Sequence, residues 1–239
     1  MNAANDVVFE LCDEAVTKYG VSRRFPPVPT DDGHTLPWVL NRVAHYFSEL
    51  NRRNVNSQLA EKVTVEFYKL QELDDDTDEL EKVEPNLCKG NIIDFVVEDG
   101  SPYGIKLRNK SDHDLYPYVF QFGSDLSIFE DEYFQSSKPG ITYKVEPTLK
   151  KHDEITLGFG PNNYAEPCSC VLEDSQNTDV TFLKIFLSTT ALDLNHIKQE
   201  TPFETTRALK TCTKPRKDKW DALTIPIIQR RAGTSSTYS

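Results

Sequence analysis

Hydrophobic and polar residues alternate along the chain from residue 103 to residue 122, and a polar turn at residues 109–112 interrupts the alternation. In a pleated strand, neighbouring side chains point to opposite faces of the sheet. Ile105 and Leu107 are therefore expected to face a core, whereas Lys106 and Arg108 are expected to face water. The stretch predicts two strands joined by a turn, which indicates a β-sheet domain.

Nine short segments between residues 62 and 189 share this two-residue period. The residues between them include Gly, Pro, Asn, Asp and Ser, which favour turns between antiparallel neighbours. No helical pattern interrupts the series, so a parallel α/β sheet is not expected. We predict a mainly β fold, an antiparallel β-sandwich of about eight to nine strands with two N-terminal helices packed on it. The predicted strands span residues 63–70, 91–99, 103–109, 115–122, 125–131, 141–147, 154–160, 168–174 and 180–189.

Two helices are predicted before the first strand. The first begins at a cap near Asn5 or Asp6 and ends at Gly20, which suits the position after a helix. The second is predicted to be capped by Thr35, with Pro37 tolerated in its first turn. Helical spacing gives each an apolar stripe, formed in the first by Val8, Leu11, Cys12 and Ala15 and in the second by Val39, Val43, Ala44, Phe47 and Leu50.

These elements predict three regions along the chain. Residues 1–56 form a helical annex, residues 57–203 form the β-sandwich domain, and residues 204–239 contain a basic linker, a last strand and a disordered tail. The last strand follows Trp220, and Pro226 should confine it to an edge of a sheet, because proline donates no ladder hydrogen bond.

Composition narrows the class of protein. The chain has 239 residues and a net charge of −11, which disfavours nucleic acid as a partner, since that affinity is built from clustered Lys and Arg. The N-terminus lacks the pattern of a secretory signal, and no segment is long and apolar enough to span a membrane. We therefore expect a cytoplasmic protein. Its five cysteines are an odd number without framework spacing, which favours reduced thiols.

The charges are unevenly placed. Residues 72–84 contain eight acids and one lysine, and residues 207–219 contain six basic residues and one acid. The acidic stretch is predicted to be a mobile loop, because like charges resist compaction. It lacks the Gly and Glu that an EF-hand requires at its sixth and twelfth positions.

The motifs of enzyme active sites are missing from the sequence. Cys168 and Cys170 have no second ligand pair at zinc-site spacing, and the histidines form no HExxH. His45, between core positions of the second helix, is predicted to be a hydrogen-bonded structural histidine. No P-loop, GxSxG elbow or QACxG setting occurs, and Gly158 and Gly160 are more typical of a turn than of a phosphate loop. We predict no catalytic residue, no metal and no cofactor.

Aromatic residues cluster on and after one predicted strand, and they are the candidate binding surface. A stripe of aromatic side chains is usually core, but an exposed part of it would suit a partner peptide or a sugar ring. The candidate residues are Tyr116, Tyr118, Phe129 and Tyr133.

Several segments resemble a known family. They are AHYFSELNRRN, VTVEFYKL, VEDGSPYGIKLRNKSDHDLYPYVFQFGSDLSI, FLKIFLSTTALDLNHIKQETPFE and KWDALTIPIIQRR. Together they resemble the C-terminal β-rich region of caspase-like (metacaspase-type) proteins of mushroom-forming fungi. The resemblance covers most of the chain after about residue 35. The His-Gly and Asp-x-Cys segments of the family's peptidase unit have no counterpart here, so the resemblance carries over no catalytic residue and implies an accessory domain.

Three functions are compatible with these observations. The first is a non-enzymatic recognition or regulatory module that binds a protein partner, such as a caspase-like protease, through a sheet face or edge. The second is a lectin-like protein that binds glycans through exposed aromatic residues. The third is a cysteine hydrolase whose thiol and imidazole come together from distant segments.

Overall fold

The computed structural model is mainly β, as predicted, and contains three sheets and two α-helices in the part of the chain that it describes. It has thirteen strands there and not the eight to nine predicted, because short two-residue strands pair at several edges. That part comprises residues 6–31, 33–74, 77–98, 100–130, 148–160, 166–203 and 219–233, without the side chains of residues 74, 77 and 78. The predicted strand at 141–147, the basic linker at 204–218 and the tail at 234–239 lie outside the described residues.

The helices are α1 (Glu14–Thr17) and α2 (Thr35–Leu50). The strands, in chain order, are β1 (Glu10–Leu11), β2 (Arg23–Arg24), β3 (Val63–Asp74), β4 (Thr77–Val83), β5 (Cys88–Lys89), β6 (Ile92–Val96), β7 (Pro102–Asn109), β8 (Tyr116–Phe122), β9 (Ile128–Glu130), β10 (Glu154–Leu157), β11 (Cys168–Ser169), β12 (Thr178–Ser188) and β13 (Trp220–Arg230).

Two larger sheets account for most of the strands. A five-stranded sheet has the order β10-β7-β3-β4, and β11 also pairs with β7. A six-stranded sheet has the order β5-β6-β13-β12-β8-β9. The pairs are antiparallel except for β6 and β13, which are parallel. Strands β1 and β2 form a separate two-stranded sheet.

The six-stranded sheet is buried on both faces over its central strands. Leu183, Ile185 and Leu187 of β12 belong to a hydrophobic cluster that they share with the five-stranded sheet. Phe182 and Phe186 belong to a second cluster, which includes residues of α2 and of the N-terminal segment. Burial on both faces explains why β12 is almost continuously apolar in sequence instead of alternating.

Helix α2 begins at Thr35 and has His34 at its N-cap position, one residue before the predicted cap, and it packs on the second cluster. Its buried residues include Val39 and Leu50, as predicted, but Ala44 is exposed and Tyr46 is buried in its place. The Tyr46 hydroxyl donates to the carbonyl oxygen of Gly123 at 3.0 Å, so the tyrosine ties α2 to the end of β8.

The predicted first helix is wrong over most of its length. A carboxylate oxygen of Asp13 accepts from the N–H of Ala15 at 2.8 Å, so the helical turn starts at Asp13 and not at Asn5 or Asp6. Residues before it are extended, with Val7 bridged to Val28 and β1 paired with β2. The predicted end at Gly20 is also wrong, because the helix ends at Thr17 with Lys18 as its C-cap, and Gly20, with a φ of 78°, lies in the turn that follows.

The last strand is not at an edge. Strand β13 lies between β6 and β12, at the centre of the six-stranded sheet. Pro226 is tolerated there because the pairing of β13 with β6 begins one residue later, at Ile227. The backbone nitrogen of Pro226, which carries no hydrogen, faces β6, and the pairing with β6 has not yet begun at this residue. No hydrogen bond to β12 is therefore lost.

The acidic stretch is a strand, not the predicted loop. Strand β4 pairs with β3 as an antiparallel hairpin, with Gln71 opposite Glu81 and Lys69 opposite Val83. The Gln71 amide donates to Glu81 at 2.8 Å, so polar side chains across the hairpin interact. Alternation of Leu80 with charged neighbours gives β4 one side that packs on Tyr68, Leu70 and Phe159.

Candidate functional site

The predicted aromatic surface is divided by the sheet. Tyr118 is buried in the second cluster, where its hydroxyl accepts from the N–H of Leu192 at 2.6 Å. Tyr116 is half-buried and packs against the same cluster. Phe129 pairs directly with Gln121, so it lies on the opposite face, and 57% of it is exposed. Tyr133 lies outside the described residues, and of the other three only Phe129 is exposed.

Neither of the two cysteines with a shifted pKa, Cys88 and Cys170, is an activated thiol. Burial raises the pKa of Cys170 to about 12 and also raises that of Cys88, which disfavours the nucleophilic thiolate. The Cys168 thiol donates to the carbonyl oxygen of Tyr103 at 3.3 Å, and Cys12 is exposed. Cys212 is not in the described part of the chain.

The histidines and acids show no metal site within the described residues, where no three His, Cys, Asp or Glu side chains come together. Nε2 of His45 lies 3.1 Å from the carbonyl oxygen of Ile197, so His45 has the structural role predicted for it. Gly158 has a φ of 85° and begins a turn directly after β10, which agrees with the turn predicted there.

A cleft between the edges of the two larger sheets is the strongest candidate for a binding site. It has a volume of about 610 Å³ and lies between the end of β4 and strand β6; we call it the edge cleft. The residues that line it are Lys69, Val83, Glu84, Pro85, Leu87, Asp94, Phe95, Val96, Glu98, Tyr103 and Arg230.

Three aromatic rings support the cleft from the core side. Phe95 and Tyr103, which line it, have ring centroids 4.8 Å apart, and both contact Phe67 beneath them. The Phe67 and Tyr103 rings are stacked at 5.5 Å. Since Phe67 and Tyr103 come from the five-stranded sheet and Phe95 from the six-stranded sheet, the cluster fixes both walls of the cleft.

Strand β6 presents an open edge to this cleft. The N–H of Val97 donates to the carbonyl oxygen of Arg230 at 2.8 Å, so the backbone groups of Phe95 and Val97 point toward β13. Those of Asp94 and Val96 point the other way, because alternate residues of a strand bond to opposite edges. On that side β5 pairs only with Ile92 and Ile93, and no other described strand continues the ladder.

Charged and apolar side chains surround the open edge. Arg230 donates to both carboxylate oxygens of Asp94, at 2.7 and 2.9 Å, and Lys69 pairs with Glu98. Ile92 and Val96 flank Asp94 on the outward face of β6 and are 38% and 47% exposed. The two ion pairs hold the cleft borders in place, and the two aliphatic side chains leave apolar surface uncovered.

Sequence reasoning missed this site, although one signal was present. In the segment NIIDFVV, apolar residues occupy both the inward and the outward positions of the strand. The inward set, Ile93 and Phe95, is explained by the core. The outward set, Ile92 and Val96, has no partner in the core clusters and marks the exposed edge.

Two global findings complete the description. Among the described residues, no helix has the length and apolar character required to cross a membrane. No protein-family model, curated protein or solved structure matches this chain.

Proposed function

We propose that this protein is a non-enzymatic recognition module that binds an extended peptide segment of a protein partner along the open edge of β6. The observation that carries the proposal is the outward backbone of Asp94 and Val96, next to a cleft with an aromatic floor. An added strand would pair with these backbone groups, and its alternate side chains would contact the cleft. The two larger sheets, which share one hydrophobic cluster, would act as a rigid β-sandwich scaffold.

The charges around the edge cleft select the kind of segment. Three acids, Glu84, Asp94 and Glu98, line the cleft with two basic residues, so its lining carries one excess negative charge. Each of the three acids is itself in an ion pair with a lysine or an arginine. Strand β4 adds further acids beside it, and the whole chain has a net charge of −11. We therefore infer that the partner segment alternates apolar residues with Lys or Arg, because complementary charges steer association.

The resemblance to accessory regions of fungal caspase-like proteins names the first partners to test. A caspase-like protease, or a protein that such a protease cleaves, would contain extended segments of this kind. This part of the proposal rests on the resemblance alone, whereas the edge and its preference for basic apolar segments rest on the geometry of β6.

A pair of substitutions at Val96 tests the proposal. Val96→Pro removes the outward N–H without removing a bond between β6 and β13. Val96→Ala keeps that N–H and shortens only the side chain. Peptides would first be selected from a random library on the intact protein, and their affinities for both variants measured by calorimetry. We expect Val96→Pro to weaken binding by about tenfold or more and Val96→Ala by much less, since backbone pairing supplies most of the affinity.

The stability of the two variants is the folding control for this experiment. The free energy of unfolding of each variant should lie within about 0.5 kcal/mol of that of the parent protein, because Val96 is at an exposed edge. Equal losses of binding in the two variants would mean that the side chain, and not the backbone edge, is recognised. Failure to select any peptide, together with saturable binding on a glycan array, would replace the proposal with glycan binding.

A further inference from the structure

A second cleft, independent of the edge cleft, is lined mainly by polar and basic residues. It has a volume of about 560 Å³. Four segments meet around it: the loop after α2 at residues 54–59, Lys62 before β3, the turn between β7 and β8 at residues 110–113, and Lys219 before β13. We call it the lysine cleft.

The lysine cleft concentrates positive charge in an acidic protein. Among the described residues that line it, Lys62, Lys110 and Lys219 carry positive charge and Asp112 is the one acid. The Asp112 carboxylate lies 3.0 Å from Nε2 of His152, which holds it in a contact of its own. Three ammonium groups around one cleft repel one another unless an anion lies among them.

The walls of the cleft are held by side chain to backbone hydrogen bonds. Asn109 is 1% exposed; its Oδ1 accepts from the N–H of Ser111 at 2.9 Å and its Nδ2 donates to the carbonyl oxygen of His113 at 2.8 Å. The N–H of Lys110 donates to the carbonyl oxygen of Lys62 at 2.8 Å. These bonds fix two of the lysine-bearing backbones relative to each other before any ligand binds.

A third wall is fixed in the same way, and neutral donors accompany it. Asn54 donates through Nδ2 to the carbonyl oxygen of Trp220 at 2.7 Å, which ties the loop after α2 to the start of β13. Its Oδ1 accepts from the N–H of Asn56. The side-chain amides of Asn56 and Gln58 line the cleft, so hydrogen-bond donors are available beside the ammonium groups.

We propose that the lysine cleft binds a phosphate monoester. Lysine binds phosphate groups as a compact point charge with three rotatable N–H donors. A phosphate monoester carries close to two negative charges at neutral pH and accepts several hydrogen bonds, which fits three ammonium groups with amides beside them. A long nucleic acid is disfavoured, because the surrounding surface of a chain with net charge −11 repels a polyanion.

Calorimetry on the full chain tests this site with three probes: inorganic phosphate, a hexose phosphate and a peptide containing phosphoserine. We expect saturable binding of at least one ester, stronger as the pH rises through about 6, where the phosphate gains its second charge. Tighter binding of the sugar or of the peptide would identify the source of the phosphate. Equal binding of all three would show that the site recognises the phosphate group itself, and either result supports the proposal.

Lysine-to-glutamine substitutions inside and outside the cleft make the test specific. Combining Lys62→Gln with Lys110→Gln should weaken phosphate binding by at least about tenfold, since two of three cationic contacts are removed. Lys89→Gln removes the same kind of charge from β5, outside the cleft, and should leave binding unchanged. Absence of saturable binding to all three probes, or equal loss with Lys89→Gln, would overturn the proposal. Neither result would affect the peptide proposal, because none of the three substituted lysines lines the edge cleft.

Discussion

Tyr118 and Phe129 belong to neighbouring strands, β8 and β9, but occupy opposite faces of the six-stranded sheet. The sequence shows that both are aromatic and close in the chain. It does not show which face is covered, because that depends on what packs above each strand. The structure covers the Tyr118 face with α2 and the N-terminal segment, and leaves Phe129 exposed. A choice between core and surface therefore required tertiary information.

This difference predicts unequal effects of truncation. Tyr118→Ala should lower the free energy of unfolding by about 3–5 kcal/mol, because it leaves a cavity and removes the acceptor for the N–H of Leu192. Phe129→Ala should change it by less than about 0.5 kcal/mol, as expected for an exposed side chain. Urea unfolding of both variants measures the difference. Similar losses in the two would show that the assignment of faces is wrong.

Helix α2 and strand β12 are joined by a buried lysine. Nζ of Lys184 donates to the carbonyl oxygens of Leu50 and Arg52, at 2.8 and 2.7 Å, and to Oγ1 of Thr224 at 2.7 Å. These carbonyl groups lie at the C-terminal end of α2, where the helix dipole favours a cation. Desolvation nevertheless lowers the pKa of Lys184 to about 8, because burial disfavours its charged form.

Replacing this lysine should destabilise the protein in a pH-dependent way. Lys184→Met leaves the helix carbonyls without their donor and should cost about 1–3 kcal/mol at neutral pH. Between pH 8 and the ordinary lysine pKa of 10.5, the unfolded chain holds a proton that the folded parent has released. The stability of the parent relative to Lys184→Met should therefore increase as the pH rises through this range.

Urea unfolding of both proteins at a series of pH values measures this effect. The difference in the free energy of unfolding between the two proteins cancels the contributions of groups that both contain. One such group is Cys170, whose raised pKa reduces stability as the pH rises above the ordinary thiol value of 9.0. A difference that stays constant from pH 8 to pH 10.5 would contradict the account of Lys184.

At the level of elements, local patterns predicted α2 and most of the long strands, because spacing and turn residues act within a few positions. The first helix was predicted to start too early because Asp13, and not an earlier residue, caps it. The position of β13 could not be read from Pro226, because its parallel pairing with β6 joins segments more than a hundred residues apart. The acidic β4 became a strand through its hairpin with β3, which outweighs the repulsion of like charges.

In the whole molecule, the six-stranded sheet connects both large hydrophobic clusters, and its first two strands leave an edge beside the five-stranded sheet. The two clefts differ in character. The edge cleft has an aromatic floor and acidic borders, whereas the lysine cleft is polar and basic. Neither could be predicted from the sequence, because each is formed by segments that are distant in the chain and meet only in the fold.

The most direct test of the central proposal is the amide exchange of Val96, measured by NMR with and without a selected peptide. Val97 is an internal control, because its N–H is already bonded to Arg230 in the free protein. We predict that the Val96 amide exchanges rapidly in the free protein and slowly in the complex, while Val97 is protected in both. A bound peptide that leaves the exchange of Val96 unchanged would contradict strand addition at β6.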